Sequence, residues 1–194
     1  MLASNCYIAG ANGEGVVIDP GSEAVEITEA IDGLKLKIKY IILTHAHIDH
    51  IASLDELRPG LDAKVVIHRL EARALTNPFY NGSALFGLNK VFREADGVVN
   101  DGDILEAGGL KFEIIHTPGH TSGGICIKNG DNIFTGDTLF MMSVGRTDLG
   151  DGDQDQLMDS IKNKLMKLKD ETIVFPGHGT STTIGYERAN NPFI

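Results

Sequence analysis

The sequence predicts a mixed α/β protein in which helices pack outside a layered sheet core. Short apolar runs rich in Ile, Val and Phe recur along the chain, each bounded by Gly, Asn, Asp or Pro. Amphipathic stretches with helix-start signals lie between them. The 23 Gly and 6 Pro exceed what a helical bundle tolerates and call for many tight turns.

In chain order, strands are expected at Asn5–Ala9 and Gly15–Asp19. Ser22 can cap a helix running to about Ile31, with Val25, Ile27 and Ile31 apolar and acids in its first turn. Ile38–Leu43 is the strongest strand run, followed by a short helix over Ala52–Leu57, a strand at Lys64–Ile67 and a second short helix over Arg69–Leu75. The turn-rich loop Thr76–Asn89, with Phe79, Tyr80 and Phe86, has two readings, part of a pocket rim or a link between core elements whose aromatics pack as satellites, the link being preferred. Further strands are expected at Leu110–His116, Gly124–Lys128, Asn132–Thr135 and Thr172–Phe175. Between the last two, Asp153 can cap a helix, with Gln156 completing a capping box and Leu157, Ile161, Leu165 and Leu168 on one face. Lys162, Lys164, Lys167 and Lys169 suit its C-terminal half, where the dipole favours cations. Met1 stands almost on the first strand, so that strand is short or the chain is clipped.

A length of 194 residues fits one domain over residues 1–194, and no linker or internal repeat divides it. Seventeen Lys and Arg against 27 Asp and Glu give a net charge of -10, which repels phosphate backbones and anionic lipid. Nucleic acid and membranes are therefore not expected partners; a small molecule is. Apolar runs such as Tyr40–Leu43 are too short to span a bilayer, and no signal-peptide pattern opens the chain. Cys6 and Cys126 read as buried free thiols in a reducing compartment, so a cytoplasmic location is expected.

The chemistry concentrates in Thr44-His45-Ala46-His47-Ile48-Asp49-His50, directly after the strongest strand. On a loop leaving a strand, three imidazoles and a carboxylate can splay around a pair of cations. Three later strand ends add His120 in TPGHT, Asp137 in FTGDTLF and His178 in PGHG. Together they supply five His and two Asp, enough for two adjacent cations with a carboxylate able to bridge them. His68 and His116 are left over, and read as structural residues or as partners for a ligand's second ring nitrogen.

The series HAHIDH, TPGHT, FTGDTLF and PGHG resembles the metallo-β-lactamase superfamily, over nearly the whole chain. The segments GRTDL and GYERANNPF are similar to those of compact bacterial glyoxalase II-like hydrolases, which resemble hydroxyacylglutathione hydrolases. The resemblance implies a four-layer αββα sandwich with two metals at the edge between the sheets. Carried over by motif, His45, His47 and His120 would hold the first metal, Asp49, His50 and His178 the second, and Asp137 would bridge. Asp49 and Asp137 are then also the candidate catalytic carboxylates. True β-lactamases of the superfamily typically place a Cys near Asp137; neither cysteine here matches, so a β-lactamase is not expected.

The activity this implies is hydrolysis of a small acyl thioester by a hydroxide shared between two divalent cations, with zinc first and iron or manganese as alternatives. A thiolate leaves without a strong general acid, its conjugate pKa being about 8.5. The chain stops soon after PGHG, so the C-terminal helical domain that grips glutathione in glyoxalase II is not expected, and the carrier thiol is open. Arg146 can meet a substrate carboxylate with its planar fork or pair with Asp148 or Asp151. The rival from another reaction class is a persulfide dioxygenase with one iron on His45, His120 and Asp137. A lactonase on the same site is a further alternative.

Overall fold

The structure, a computed structural model, describes residues 4–194; Met1, and with it the expectation about the start of the chain, lies outside the described residues. The chain builds β1 (Tyr7–Ala11), β2 (Glu14–Ile18), α1 (Ala24–Leu34), β3 (Lys37–Leu43), α2 (Leu54–Leu61), β4 (Lys64–His68), α3 (Ala72–Leu75), β5 (Gly97–Val99), β6 (Ile104–Ala107) and β7 (Leu110–His116). It continues with β8 (Ile125–Asn129), β9 (Asn132–Gly136), β10 (Leu139–Phe140), β11 (Ser143–Val144), α4 (Gln154–Asn163), β12 (Ile173–Pro176), β13 (Thr182–Thr183) and α5 (Ile184–Asn190).

Two sheets form, with strand orders β1-β2-β3-β4-β5 and β13-β12-β9-β8-β7-β6, and β10 and β11 make a small hairpin. The period-two alternation of the strands explains why they stack. In the first sheet Val16, Ile18, Ile42 and Val66 face one side, where they pack on Phe112, Ile114, Ile125, Ile127 and Phe134 of the second sheet. Their neighbours Val17, Ile41, Leu43, Val65 and Ile67 face the other side and pack on Ile27 and Ile31 of α1 and Leu54 and Leu57 of α2. On the outer face of the second sheet Cys126, Ile133 and Val174 meet Leu157 and Ile161 of α4 and Ile184 of α5. Three apolar layers thus separate four layers of structure in the order helix, sheet, sheet, helix, the expected αββα sandwich.

The strand expectations hold within one or two residues. Asp153 caps α4 as expected: its Oδ1 accepts the Gln156 backbone N–H at 3.0 Å and its Oδ2 accepts from Gln156 Nε2 at 3.1 Å. The helix stops at Asn163, however, and Leu165–Lys167 continue as a 3-10 turn that keeps Leu165 in the core. Ser22 does not cap α1; Glu23 precedes the helix without a side-chain cap bond, and the Ser22 carbonyl accepts from Ser53 Oγ at 2.6 Å. Val25 points to solvent and only Ile27 and Ile31 of the expected face are buried.

The direction of the strands positions the site. β7 and β9 each pair antiparallel with β8, and β12 pairs parallel with β9, so β7, β9 and β12 all end on one edge of the second sheet. β2, β3 and β4 run parallel in the first sheet. The loop after β3 is tied across the gap between the sheets, because the Thr44 carbonyl accepts the Ile125 N–H of β8 at 2.9 Å. Loops leaving that shared edge carry all the sequence-predicted ligands.

Candidate metal centre

His45, His47 and His120 converge so that one ring nitrogen of each lies within 4.8 Å of the others, and one ligand atom each of Asp49, His50 and His178 does the same. Asp137 stands between the two sets, its Oδ1 3.3 Å from His50 Nε2 and its Oδ2 3.6 Å from His120 Nε2 and 3.5 Å from His178 Nε2. His178 Nε2 is also 3.3 Å from Asp49 Oδ2. Every residue expected as a ligand is therefore in one cluster.

The electrostatics of the two sets differ. Burial, followed by the neighbouring imidazoles, holds His45 well below the usual histidine range and pushes His47 down to about 4. Burial likewise lowers His120. These three rings are neutral at physiological pH and keep a lone pair for a cation. In the second set burial opposes charge on His50, but Asp137 and Asp19 outweigh it and raise His50 well above its ordinary range. Hydrogen bonds to Asp137 and Asp49 raise His178 to about 10. Burial works against ionisation of Asp137 and Asp49, yet the facing histidines hold both below the usual carboxylate range. Two carboxylates in a buried pocket demand positive charge, from imidazolium protons or from metal ions that replace them.

The donor set fits cations. His45 Nε2 is buried without a hydrogen-bond partner, and Asp137 Oδ1 lacks a well-formed hydrogen bond; polar atoms so placed in a native interior await a ligand. His120 Nδ1 donates to the Arg146 carbonyl at 2.7 Å, which leaves Nε2 of the neutral ring as an acceptor aimed at the cluster, 2.9 Å from His47 Nδ1. His50 Nδ1 donates to Asp19 Oδ2 at 2.9 Å, directing its Nε2 inward in the same way. Such partners on the second nitrogen fix the tautomer of a ligating histidine.

Backbone geometry completes the frame at two glycines. Gly136 has φ 47, which turns the chain so that Asp137 projects inward, and a side chain there would strike Thr44. At Gly177 a Cβ would run into Asp137 Oδ1 and the His50 ring, so only glycine lets this loop come close enough to bring His178 in.

Two carboxylates that shape the site were not singled out from the sequence. Asp19, at the end of β2, is 2 % exposed and accepts from the Thr44 backbone N–H at 2.8 Å, from Thr44 Oγ1 and from His50 Nδ1. Glu71, also buried, accepts the Ala46 N–H at 3.1 Å and so pins the loop between His45 and His47. Their only sequence signal is an acid beside a strand or helix end, which many surface acids share. His68 and His116 stack on each other with centroids 4.1 Å apart, and His116 Nε2 donates to the Ser122 carbonyl at 3.0 Å; neither belongs to a ligand set.

A cavity of about 310 Å³ opens beside the cluster, lined by Ile48, Asn81, Gly82, Leu85, Phe86, Arg146 and Leu149 together with His47, Asp49, His120, Asp137 and His178. Of the two readings of the loop Thr76–Asn89, the pocket rim rather than the preferred link is what the structure shows: Asn81, Gly82, Leu85 and Phe86 form a wall of this cavity. Its 3-10 turn Ser83–Phe86 brings Leu85 and Phe86 to the rim, and Asn81 Nδ2, donating to the Lys90 carbonyl at 2.9 Å, ties the loop to itself. Arg146 reaches the cavity wall but pairs with Asp148 through two bonds of 2.6 and 2.8 Å, the ion-pair outcome of the two considered for it; Asp151 pairs with Arg73 instead. Cys126 is buried behind the second sheet and Cys6 half-buried; burial pushes their thiols up to about 11 and about 12, and neither lines the cavity. Among the described residues no helix is long and apolar enough to cross a membrane.

Comparison with known proteins agrees with this geometry. The chain is 37% identical over 182 residues to the hydroxyacylglutathione hydrolase GloC of Haemophilus influenzae, covering 92% of this chain and 86% of that protein. It is 36% identical over 196 residues to the probable metallo-hydrolase YqgX of Bacillus subtilis, covering 100% and 93%. Among solved structures, the B3 metallo-β-lactamase BLEG-1 superposes with a TM-score of 0.93 at 38% identity, covering 98% of this chain and 93% of that one. TTHA1623 in a di-iron-bound form gives 0.89 at 34%, covering 100% and 96%, and ETHE1 from Myxococcus xanthus gives 0.83 at 34%, covering 98% and 79%. A likeness of this degree to a protein described as a β-lactamase leaves the expectation against a β-lactamase untested. A family model described as the metallo-β-lactamase superfamily matches residues 1–178. With the two-sheet fold and the His/Asp cluster at its edge, that match establishes that the chain belongs to the metallo-β-lactamase superfamily of metal-dependent hydrolases.

Proposed function

We propose that the protein is a two-metal hydrolase of small acyl thioesters. The observation that carries the reading is the pair of three-ligand sets flanking Asp137. In this reading His45, His47 and His120 would hold one divalent cation and Asp49, His50 and His178 the other, with Asp137, which stands between the two sets, available to both. When bound, such a pair of cations lowers the pKa of water to near neutrality and stabilises an oxyanion at an attacked carbonyl. Zinc is the first candidate, with iron or manganese compatible with the same imidazole and carboxylate donors; the di-iron form of TTHA1623 supports iron as an occupant.

The chain's own residues account for the rest. Asp49 and Asp137 would supply the negative charge that retains two cations. Among the described residues neither a cysteine nor a serine or threonine lines the cavity, and the two-metal reading requires no such nucleophile. A thiolate departs unaided near neutral pH, which makes a thioester the acyl substrate that asks least of this residue set. The GloC likeness supports the same class. A one-iron dioxygenase on His45, His120 and Asp137, a reading the ETHE1 likeness would suit, leaves the Asp49–His50–His178 set without a task, and the two-metal hydrolase is favoured for that reason.

Elemental analysis of protein purified without added metal, followed by a thioester screen, tests the reading. Close to two metals per chain and turnover of lactoyl or acetyl thioesters are expected, with Asp137→Ala losing both metal and activity. One iron per chain, no further uptake, and oxygen consumption with a persulfide would replace the hydrolase by the dioxygenase. An Asp137→Ala or His47→Ala variant that kept two metals and full activity would overturn the two-metal hydrolase reading.

A further inference from the structure

The walls of the cavity, as distinct from its floor of ligands, carry information about the substrate. Ile48, Leu85, Phe86 and Leu149 present apolar surface, and Leu85 and Phe86 are 65% and 57% exposed. The uncharged polar side chain on the wall, Asn81, is occupied: its Oδ1 accepts the Ser83 N–H at 3.0 Å and its Nδ2 donates to the Lys90 carbonyl. Arg146, the one guanidinium on the wall, is held in a two-pronged pair by Asp148. A substrate carboxylate would have to displace Asp148, exchanging one exposed ion pair for another with little net gain.

A glutathione thioester brings two carboxylates to this wall and finds no unpaired cation among its described residues. We propose, resting on the thioester-hydrolase reading, that the site selects thioesters whose carrier thiol is uncharged and compact, packed on Leu85, Phe86 and Leu149, over thioesters of glutathione. Asp148 acts in that selection as the residue that silences Arg146, and Phe86 as a specificity-determining contact. Both side chains are exposed, so truncating either leaves the core untouched.

The experiment compares one acyl group on two carriers, the lactoyl thioesters of glutathione and of N-acetylcysteamine, with the metal-loaded protein. In parallel, calorimetry measures binding of the matching non-hydrolysable S-alkyl thioethers. We expect kcat/KM and thioether affinity to favour the uncharged carrier by about 10-fold or more, an apolar contact of one aromatic side chain being of that order. Phe86→Ala should remove most of that preference while the metal content stays unchanged. Asp148→Ala should raise kcat/KM and thioether affinity for the glutathione carrier several-fold and leave the uncharged one unchanged. Equal or better use of the glutathione carrier by the wild-type protein, or an Asp148→Ala variant that shifts neither carrier, overturns the inference and leaves the hydrolase reading standing. A two-metal protein that turns over no thioester on either carrier overturns the hydrolase reading and this inference with it.

Discussion

Asp19→Asn separates a residue that organises the metal centre from one that merely fills space. The substitution keeps shape and removes one negative charge. Asp19 Oδ1 accepts from the Thr44 N–H at 2.8 Å and Oδ2 from Thr44 Oγ1 and His50 Nδ1, all buried. If the asparagine oxygen takes the Thr44 N–H, its NH2 faces His50 Nδ1, which must then accept rather than donate. His50 is forced into the other tautomer, with a proton on the Nε2 that now faces Asp137 at 3.3 Å, and it ceases to be a ligand until the ring reorganises. If the amide is flipped, the backbone N–H of Thr44 loses its acceptor instead. Either way one buried hydrogen bond to a charged group is lost, at about 1.5–3 kcal/mol. Taking about 2 kcal/mol gives roughly a 30-fold weaker site, within the 10–100-fold cost (order of magnitude) of removing a ligand's orienting partner. Competition against a chromophoric chelator measures the affinity, and elemental analysis after dialysis measures retention. A variant that holds both metals within about 3-fold of wild-type affinity would refute the orienting role.

Three further predictions use other parts of the frame. Gly177→Ala should deplete bound metal and activity with the fold retained by circular dichroism, because its Cβ would collide with Asp137 Oδ1 and the His50 ring. Asp153→Ala should cost about 1 kcal/mol in denaturant unfolding through loss of the α4 cap, and should leave metal content alone. His68 is buried and its pKa is pushed down to about 4, first by burial and then by the stacked His116. The unfolded chain therefore binds the extra proton between about pH 6.5 and 4, and stability contributed by neutral His68 is lost as the pH falls through that window. His68→Leu should flatten the loss between pH 7 and 5 by about 1 kcal/mol, compared with wild type in metal-free protein by chemical denaturation.

What could be read from the residues alone follows from how local the deciding physics is. The central strands were legible because both faces of each are buried, leaving apolar runs such as Ile41-Ile42-Leu43. β5 and β6 were not, because Val98 and Ile104 are more than half exposed and the runs are only three and four residues long. α5 buries only Ile184 and Glu187, too little to mark a helical face. The ligands were legible because metal chemistry restricts them to few residue types and the motifs stand at strand ends. Asp19 and Glu71 were hidden among 27 acids, since only burial distinguishes them. The cavity role of the loop after α3 was one of two readings that its turn-rich composition could not separate, since that composition looks the same whether the loop faces solvent or substrate.

The same contrast divides the residues by what changing them should do. The ligands are held by groups locked into the sheets: Asp19 at the end of β2, the Thr44 carbonyl bonded to β8, Glu71 under the loop after β3, and glycines where any side chain would collide. Disturbing these alters metal affinity. The cavity walls instead come from surface turns, Ser83–Phe86 and the segment around Arg146–Leu149, where Leu85, Phe86, Arg146 and Asp148 are exposed. A fold built this way can change its substrate through two short loops while its metal chemistry stays fixed. Likeness to a β-lactamase, a hydroxyacylglutathione hydrolase and ETHE1 at 34–38% identity is then compatible with any one of several substrates. It is the wall residues, and above all whether Asp148 keeps Arg146 occupied, that should decide which substrate this chain takes.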